Sequence, residues 1–307
     1  MTVDPRARRL LDMLSLSGAS ADQSVNARRE GFAKLMQMGS KPVEVAQVRD
    51  MAIDGPGGSI PLRSYDAHET RAAAAPALVF FHGGGLVAGS IETHDGICRR
   101  LALASGAIVI SVGYRLAPEH RFPASLVDAA FALDWILAQA TSLEIDPARI
   151  GIGGESAGAL LATLISNGYQ PVKVAPKAQL LLCPVIDLAG EFGSRREFAK
   201  GYLIDAETLA RDIAFCVGKE NSSSALPSPL RHGSPGFSPP TLIVSAASDP
   251  FRDEAAYYAT VLQAADVPVR HTCHEGMLHS FYGLPAFLPQ ASTALHAAGE
   301  QLGELLA

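Results

Sequence analysis

From residue 77 onward, short continuous apolar runs alternate with stretches of helical periodicity. The runs fall at 77–81, 107–112, 149–153, 179–185, 241–246 and 267–273, and the helical patterns near 93–104, 124–140, 157–168, 252–265 and 290–306. A strand that is apolar on both sides must be covered on both sides, and strands joined through helices run parallel. The pattern therefore predicts an α/β fold on a parallel sheet. Upstream, 43–53 and 59–65 flank Asp54-Gly55-Pro56-Gly57-Gly58 and read as a hairpin. The first 40 or so residues read as two helices, with Asp4-Pro5 opening one and Gly18 and Gly39 as stops. The interval 187–240 breaks the rhythm with a helical stretch at 205–217 and a proline-rich loop at 222–240. Together with the N-terminal helices, it is placed to form a lid over the strand ends.

Composition narrows the function classes. An apolar content of 48% is far too high for a disordered chain, and 307 residues suffice for one large α/β domain or two smaller ones. A net charge of −6 argues against a nucleic-acid partner, which calls for a basic patch. Cys98, Cys183, Cys216 and Cys273 form no C-x-x-C, so neither a zinc ribbon nor a disulfide framework is indicated. Free thiols make a cytoplasmic location the expectation. Secretion is the minor alternative, because Arg6, Arg8 and Arg9 precede an apolar stretch and Ala19-Ser20-Ala21. Asp12 interrupts that stretch, and Leu10, Leu11, Met13 and Leu14 fit a helix face instead. No apolar run approaches the ~18 residues of a membrane span.

The segment Gly154-Glu155-Ser156-Ala157-Gly158 follows an apolar strand and enters a helix. That is the setting of a nucleophile elbow, in which a serine sits on a sharp strand-to-helix turn. A dinucleotide-binding reading of Gly151 and Gly153 fails, because Ser156 stands at the third glycine position and no acidic residue follows from 157 to 186. His82-Gly83-Gly84-Gly85 follows another strand. Its backbone N–H groups, with that of Ala157, can converge on a developing oxyanion. Gly84 is the surest donor of the loop, with Gly83 or Gly85 supplying the other, and His82 is expected to brace the loop by hydrogen bonding. Asp249 and His279 each follow an apolar strand, where open α/β sheets gather their sites, and Ser156, Asp249, His279 is the α/β-hydrolase order. Asp253 is a rival acid, but its place at a helix start suits capping or a salt bridge better. A metal at His271, Cys273, His274 and His279 is disfavoured, because strand alternation splits these ligands between faces.

These motifs resemble the hormone-sensitive-lipase branch of the α/β-hydrolases, the bacterial family IV esterases. Further matching pieces are Tyr114-Arg115-Leu116-Ala117-Pro118-Glu119, Phe122-Pro123-Ala124, Ser228-Pro229-Leu230, Ser248-Asp249-Pro250 with Asp253-Glu254, and Gly276-Met277-Leu278-His279-Ser280-Phe281. The resemblance implies a mostly parallel eight-stranded sheet flanked by helices, with a helical cap from 1–42 and an insertion at 187–225. Residues 43–186 and 226–307 are then the two parts of the catalytic domain. It also implies Ser156 as nucleophile, Asp249 as acid, His279 as base, and a short- to medium-chain carboxylic ester as substrate. No metal or organic cofactor is expected, and a homodimer is left open. Two departures stand out: Glu155 where aspartate is commoner, expected to adjust a hydrogen bond behind the elbow without touching the chemistry, and Phe251 where leucine is usual.

Candidate pocket residues are Phe32, Met36, Tyr202 and Leu203 from the cap, with Leu86, Leu278 and Phe281 nearer the acyl end. Two other readings compete. Lactone or amide hydrolysis would use the same triad, and a non-catalytic ligand receptor on this fold would typically lack the histidine that His279 provides.

Overall fold

The computed structural model describes residues 2–16, 24–218 and 228–307. Gly18, Ala19-Ser20-Ala21, the last residues of the 187–225 insertion and the start of the 222–240 loop therefore lie outside the described residues. One eight-stranded sheet organises the chain in the order β1-β2-β4-β3-β5-β6-β7-β8. The strands are β1 (Gln47–Gly55), β2 (Gly58–Asp66), β3 (Ala75–Phe81), β4 (Ile108–Val112), β5 (Ile145–Glu155), β6 (Gln179–Leu182), β7 (Thr241–Ser248) and β8 (Val269–Leu278). β1 pairs antiparallel with β2, and β2 with β4, while every later pairing is parallel.

Alternation along the apolar strands divides the core in two. On β3, Ala77, Val79 and Phe81 face a layer formed by α4 (Ala124–Ala138), α5 (Ala157–Ser166) and α8 (Arg252–Ala264). Leu78 and Phe80 point the other way, into α3 (Ile91–Ser105), α9 (Gln290–Leu306) and the first helix, α1 (Pro5–Leu16). With side chains repeating every second residue, a continuous apolar run is what a strand buried on both faces requires. The remaining helices are α2 (Val25–Gly39), α6 (Gly193–Glu197) and α7 (Ala206–Val217).

Differences from the sequence expectation are local. The hairpin begins at Gln47 rather than 43, and its strands close across Pro56-Gly57 in the register Gly55↔Gly58. The 179–185 run is strand only to Leu182, because Cys183 takes a left-handed φ of 41° that ends the ladder. β8 runs five residues past 273, to Leu278, and this extension carries the chain to His279.

Candidate active site

Four loops leave the carboxyl ends of parallel strands of the sheet and meet: His82–Gly85 after β3, Ser156 after β5, Asp249 after β7 and His279 after β8. Ser156 has φ 54° and ψ −117°, a conformation L residues rarely adopt. The turn closes because its flanking glycines leave room. A Cβ on Gly158 would lie 2.0 Å from the Phe81 carbonyl oxygen, and one on Gly154 would lie 2.4 Å from the Gly158 carbonyl carbon. The Ser156 N–H donates to the Leu182 carbonyl at 2.9 Å, tying the elbow to β6.

A buried hydrogen-bonded chain runs from this serine. Ser156 Oγ lies 2.9 Å from His279 Nε2, and His279 Nδ1 lies 2.8 Å from Asp249 Oδ2. The other Asp249 oxygen accepts the Phe251 N–H at 2.8 Å, which fixes the carboxylate's plane. Burial pushes the His279 pKa down, but the adjacent Asp249 carboxylate, with smaller contributions from Glu155 and Glu254, outweighs this and carries it above the ordinary histidine value. Phe251, the second departure, sets its ring edge-on to the imidazole at 5.1 Å between centroids. Asp253 is elsewhere: one oxygen accepts the Ser194 N–H at 2.8 Å and the other pairs with Arg252, so it holds the start of α6. Cys183 lies with Asp249 and His279 in a group whose ligand-type atoms are within 4.8 Å of one another. Burial raises the pKa of its thiol, which stays protonated. His271, from the cluster weighed above as a metal site, instead pairs with Ser245 Oγ at 2.8 Å.

The glycine loop is braced from both sides. Burial lowers the His82 pKa to about 3, so the ring is neutral, and its Nδ1 donates to the Gly83 carbonyl at 2.9 Å. Tyr114 stacks on that ring at 4.2 Å and donates its hydroxyl to the His82 carbonyl at 2.6 Å. The Gly83 N–H donates to His94 Nε2 at 3.0 Å. Of the two alternatives for the second oxyanion donor, Gly83 has its N–H bonded to His94 and Gly85 lines the cavity that Ser156 faces.

Ser156, Ala157, His279, Gly84 and Gly85 face a cavity of about 680 Å³. Phe32, Met36, Leu86 and Leu203 from the expected pocket set do line it. Tyr202, Leu278 and Phe281 do not, which corrects that part of the expectation. Tyr202 packs edge-on against Phe198, while Leu278 and Phe281 are fully buried in the core layer beneath α9. An apolar residue near a site reads the same in sequence whether it faces the cavity or the core. Met36 also lines a second cavity of about 530 Å³ between α2 and α3.

Sequence reasoning missed the charges that join the two helices over the cavity. Arg28 of α2 pairs with Asp212 of α7 at 3.0 Å, and its guanidinium also lies over the Phe32 ring. Burial raises the Asp212 pKa despite Arg28. His94, which grips the glycine loop, was missed too. No local motif marks either contact, since each depends on helices meeting in space.

Residues 78–283 match the family described as alpha/beta hydrolase fold. Esterase LipI of Mycobacterium tuberculosis is 34% identical over 298 residues, covering 95% of this chain and 92% of its own. Ethyl acetate hydrolase of Pseudomonas putida is 32% identical over 298 residues, covering 96% and 93%. A solved hyperthermophilic esterase from the archaeon Pyrobaculum calidifontis superposes with a TM-score of 0.91 at 33% identity, covering 100% of each chain. The chain belongs to the α/β-hydrolase superfamily, in its hormone-sensitive-lipase-like esterase branch. It is a carboxylic ester hydrolase. No helix among the described residues is long and apolar enough to cross a membrane.

Proposed function

We propose that the enzyme hydrolyses short- to medium-chain carboxylic esters through an acyl-enzyme on Ser156. The observation that carries this is the unbroken Ser156–His279–Asp249 chain, with links of 2.9 and 2.8 Å, opening onto the cavity. His279 Nε2 takes the Ser156 proton as Oγ attacks the ester carbonyl, and Asp249 holds the imidazole with its proton on Nδ1 and stabilises the charge that develops. The N–H groups of Gly84, Gly85 and Ala157 receive the oxyanion. A donor of this kind is worth ~10²–10³ in rate. His279 then protonates the leaving alcohol, and a water activated by the same nitrogen attacks the acyl-enzyme, releasing the acid and freeing Ser156.

Size supports the substrate class. A cavity of about 680 Å³, which acyl and alcohol groups would share, suits a small ester. The ethyl acetate hydrolase relative points the same way. Phe32, Met36, Leu86 and Leu203 are the proposed pocket wall. The N-terminal helices and the insertion carrying α6 and α7 are the proposed cap, latched by Arg28 and Asp212. Four free cysteines support a cytoplasmic location.

A panel of p-nitrophenyl esters from acetyl to palmitoyl, with a lactone and a p-nitroanilide alongside, tests the reading. The expected kcat/KM is highest for acetyl to hexanoyl esters and falls steeply toward palmitoyl. Preference for the palmitoyl ester, or turnover of only the lactone or anilide, would overturn it.

A further inference from the structure

We infer that Glu155, which the triad mechanism leaves unused, is a positioning residue that supports His279 from the side opposite Asp249 and ties it to the glycine loop. This rests on the esterase reading above. Glu155 is the last residue of β5, adjacent in sequence to Ser156, and is only 1% exposed. A buried carboxylate must find partners, and each partner here belongs to a different part of the site. Oε1 accepts the Ser280 hydroxyl and lies 3.9 Å from His279 Nε2. Oε2 lies 3.3 Å from His94 Nε2, the nitrogen that also receives the Gly83 N–H. A side chain on Gly83 would overlap Oε2, so the glycine loop packs directly on this carboxylate.

Ser280 explains how the support reaches the base. It follows His279 directly and holds a left-handed φ of 56°, a turn that sends the chain into the segment 281–283. The bond to Glu155 fixes that turn and thereby the backbone from which His279 projects. The negative charge at 3.9 Å favours the imidazolium that forms when Ser156 is deprotonated. Glu155 touches no substrate atom, so its effect passes through His279 and the glycine loop.

Other groups face this pair from every side. Asp249 meets His279 from the end of β7, Glu254 lies toward it from α8, and the Cys183 thiol is close by after β6. Glu155 has His94 of α3 as its second imidazole, with Tyr114, Tyr282 and Cys183 near enough to feel its charge. Burial opposes its ionisation, but His94, His279 and Ser280 outweigh burial and its pKa lies below the ordinary value. Glu155 is therefore negative while His279 works.

The test is the pH profile of kcat/KM on p-nitrophenyl butyrate for the whole enzyme. His279 must be neutral to act as base, so activity is lost as pH falls through its pKa. Glu155→Gln removes one charge that raises that pKa. The acid limb is expected to move about one unit lower, with kcat down ~10-fold. Glu155→Asp keeps the charge, so the limb stays near the wild-type position while kcat recovers only in part. Ser280→Ala keeps the charge and loses the tether, so kcat falls ~10-fold with no movement of the limb. An acid limb for Glu155→Gln that superimposes on wild type overturns the inference, as does wild-type kcat for Ser280→Ala should the glutamine variant not fold. Absence of ester turnover by the wild type would instead sink the esterase reading itself.

Discussion

Ser156→Ala is expected to lower kcat on p-nitrophenyl butyrate by on the order of 10⁶-fold. The variant loses the attacking Oγ, and no other nucleophile of the described site can replace it. Cys183, which lies close to Asp249 and His279, is a protonated, buried thiol after β6. The fold should survive, because alanine fills the same turn and α5 is packed through residues that are all buried. Circular dichroism and thermal unfolding close to wild type, with ester turnover lost, is the expected pair of results. A variant that keeps a tenth of the wild-type kcat would mean that hydrolysis proceeds through another group.

Asp249→Asn is expected to cost about 10⁴-fold in kcat. The loss comes from the proton, not from size. The carboxylate accepts the Nδ1–H at 2.8 Å and so keeps the Nε2 lone pair pointed at Ser156. An asparagine amide can turn its N–H₂ toward Nδ1 instead, which moves the imidazole proton to Nε2 and blocks it as an acceptor. The pH profile carries a second signature. Burial alone depresses the His279 pKa, and Asp249 is the largest influence lifting it. Without that charge the residual activity should persist to lower pH than in the wild type. A rate within tenfold of wild type, or an acid limb that moves to higher pH, would show that Asp249 does not serve His279.

The two variants separate roles that share one hydrogen-bonded chain. Removing the serine ends the covalent route, while altering Asp249 leaves the nucleophile in place with a base in the wrong tautomer. Glu155→Gln belongs on the same scale, with a much smaller loss and an acid limb moved in the same direction as for Asp249→Asn.

Much of this architecture is written locally. Residues 77–81 are apolar at every position because β3 is covered on both faces, and a local reading of that run recovers the strand. The elbow is legible for a similar reason: close backbone approach at Gly154 and Gly158 admits no side chain, so the glycines mark the turn. Asp249 and His279 could be placed because parallel strands deliver their carboxyl ends to one edge. The early end of β6 could not, since the left-handed turn at Cys183 carries no glycine or asparagine to announce it.

Contacts between distant elements were the hidden part. Arg28 and Asp212 are separated by 184 positions, and only the meeting of α2 with α7 makes them a pair. Glu155 was visible as a departure, but its reach to Ser280, 125 positions away, was not. The glutamate therefore read as a local adjustment behind the elbow. In three dimensions it lies between the base, the elbow and the glycine loop. Tyr202, Leu278 and Phe281 show the converse limit, since hydrophobicity predicts burial without saying against what.

The most direct measurement is stoichiometric labelling with diethyl p-nitrophenyl phosphate, followed by intact mass and peptide mapping. Attack by the nucleophile displaces p-nitrophenolate and leaves a diethylphosphoryl group on the attacking oxygen. One group per chain is expected, on Ser156 within Gly154-Glu155-Ser156-Ala157-Gly158, with ester hydrolysis lost in proportion and no label on Ser156→Ala. A label on any other residue, or full ester turnover by a chain labelled at Ser156, would contradict the assignment.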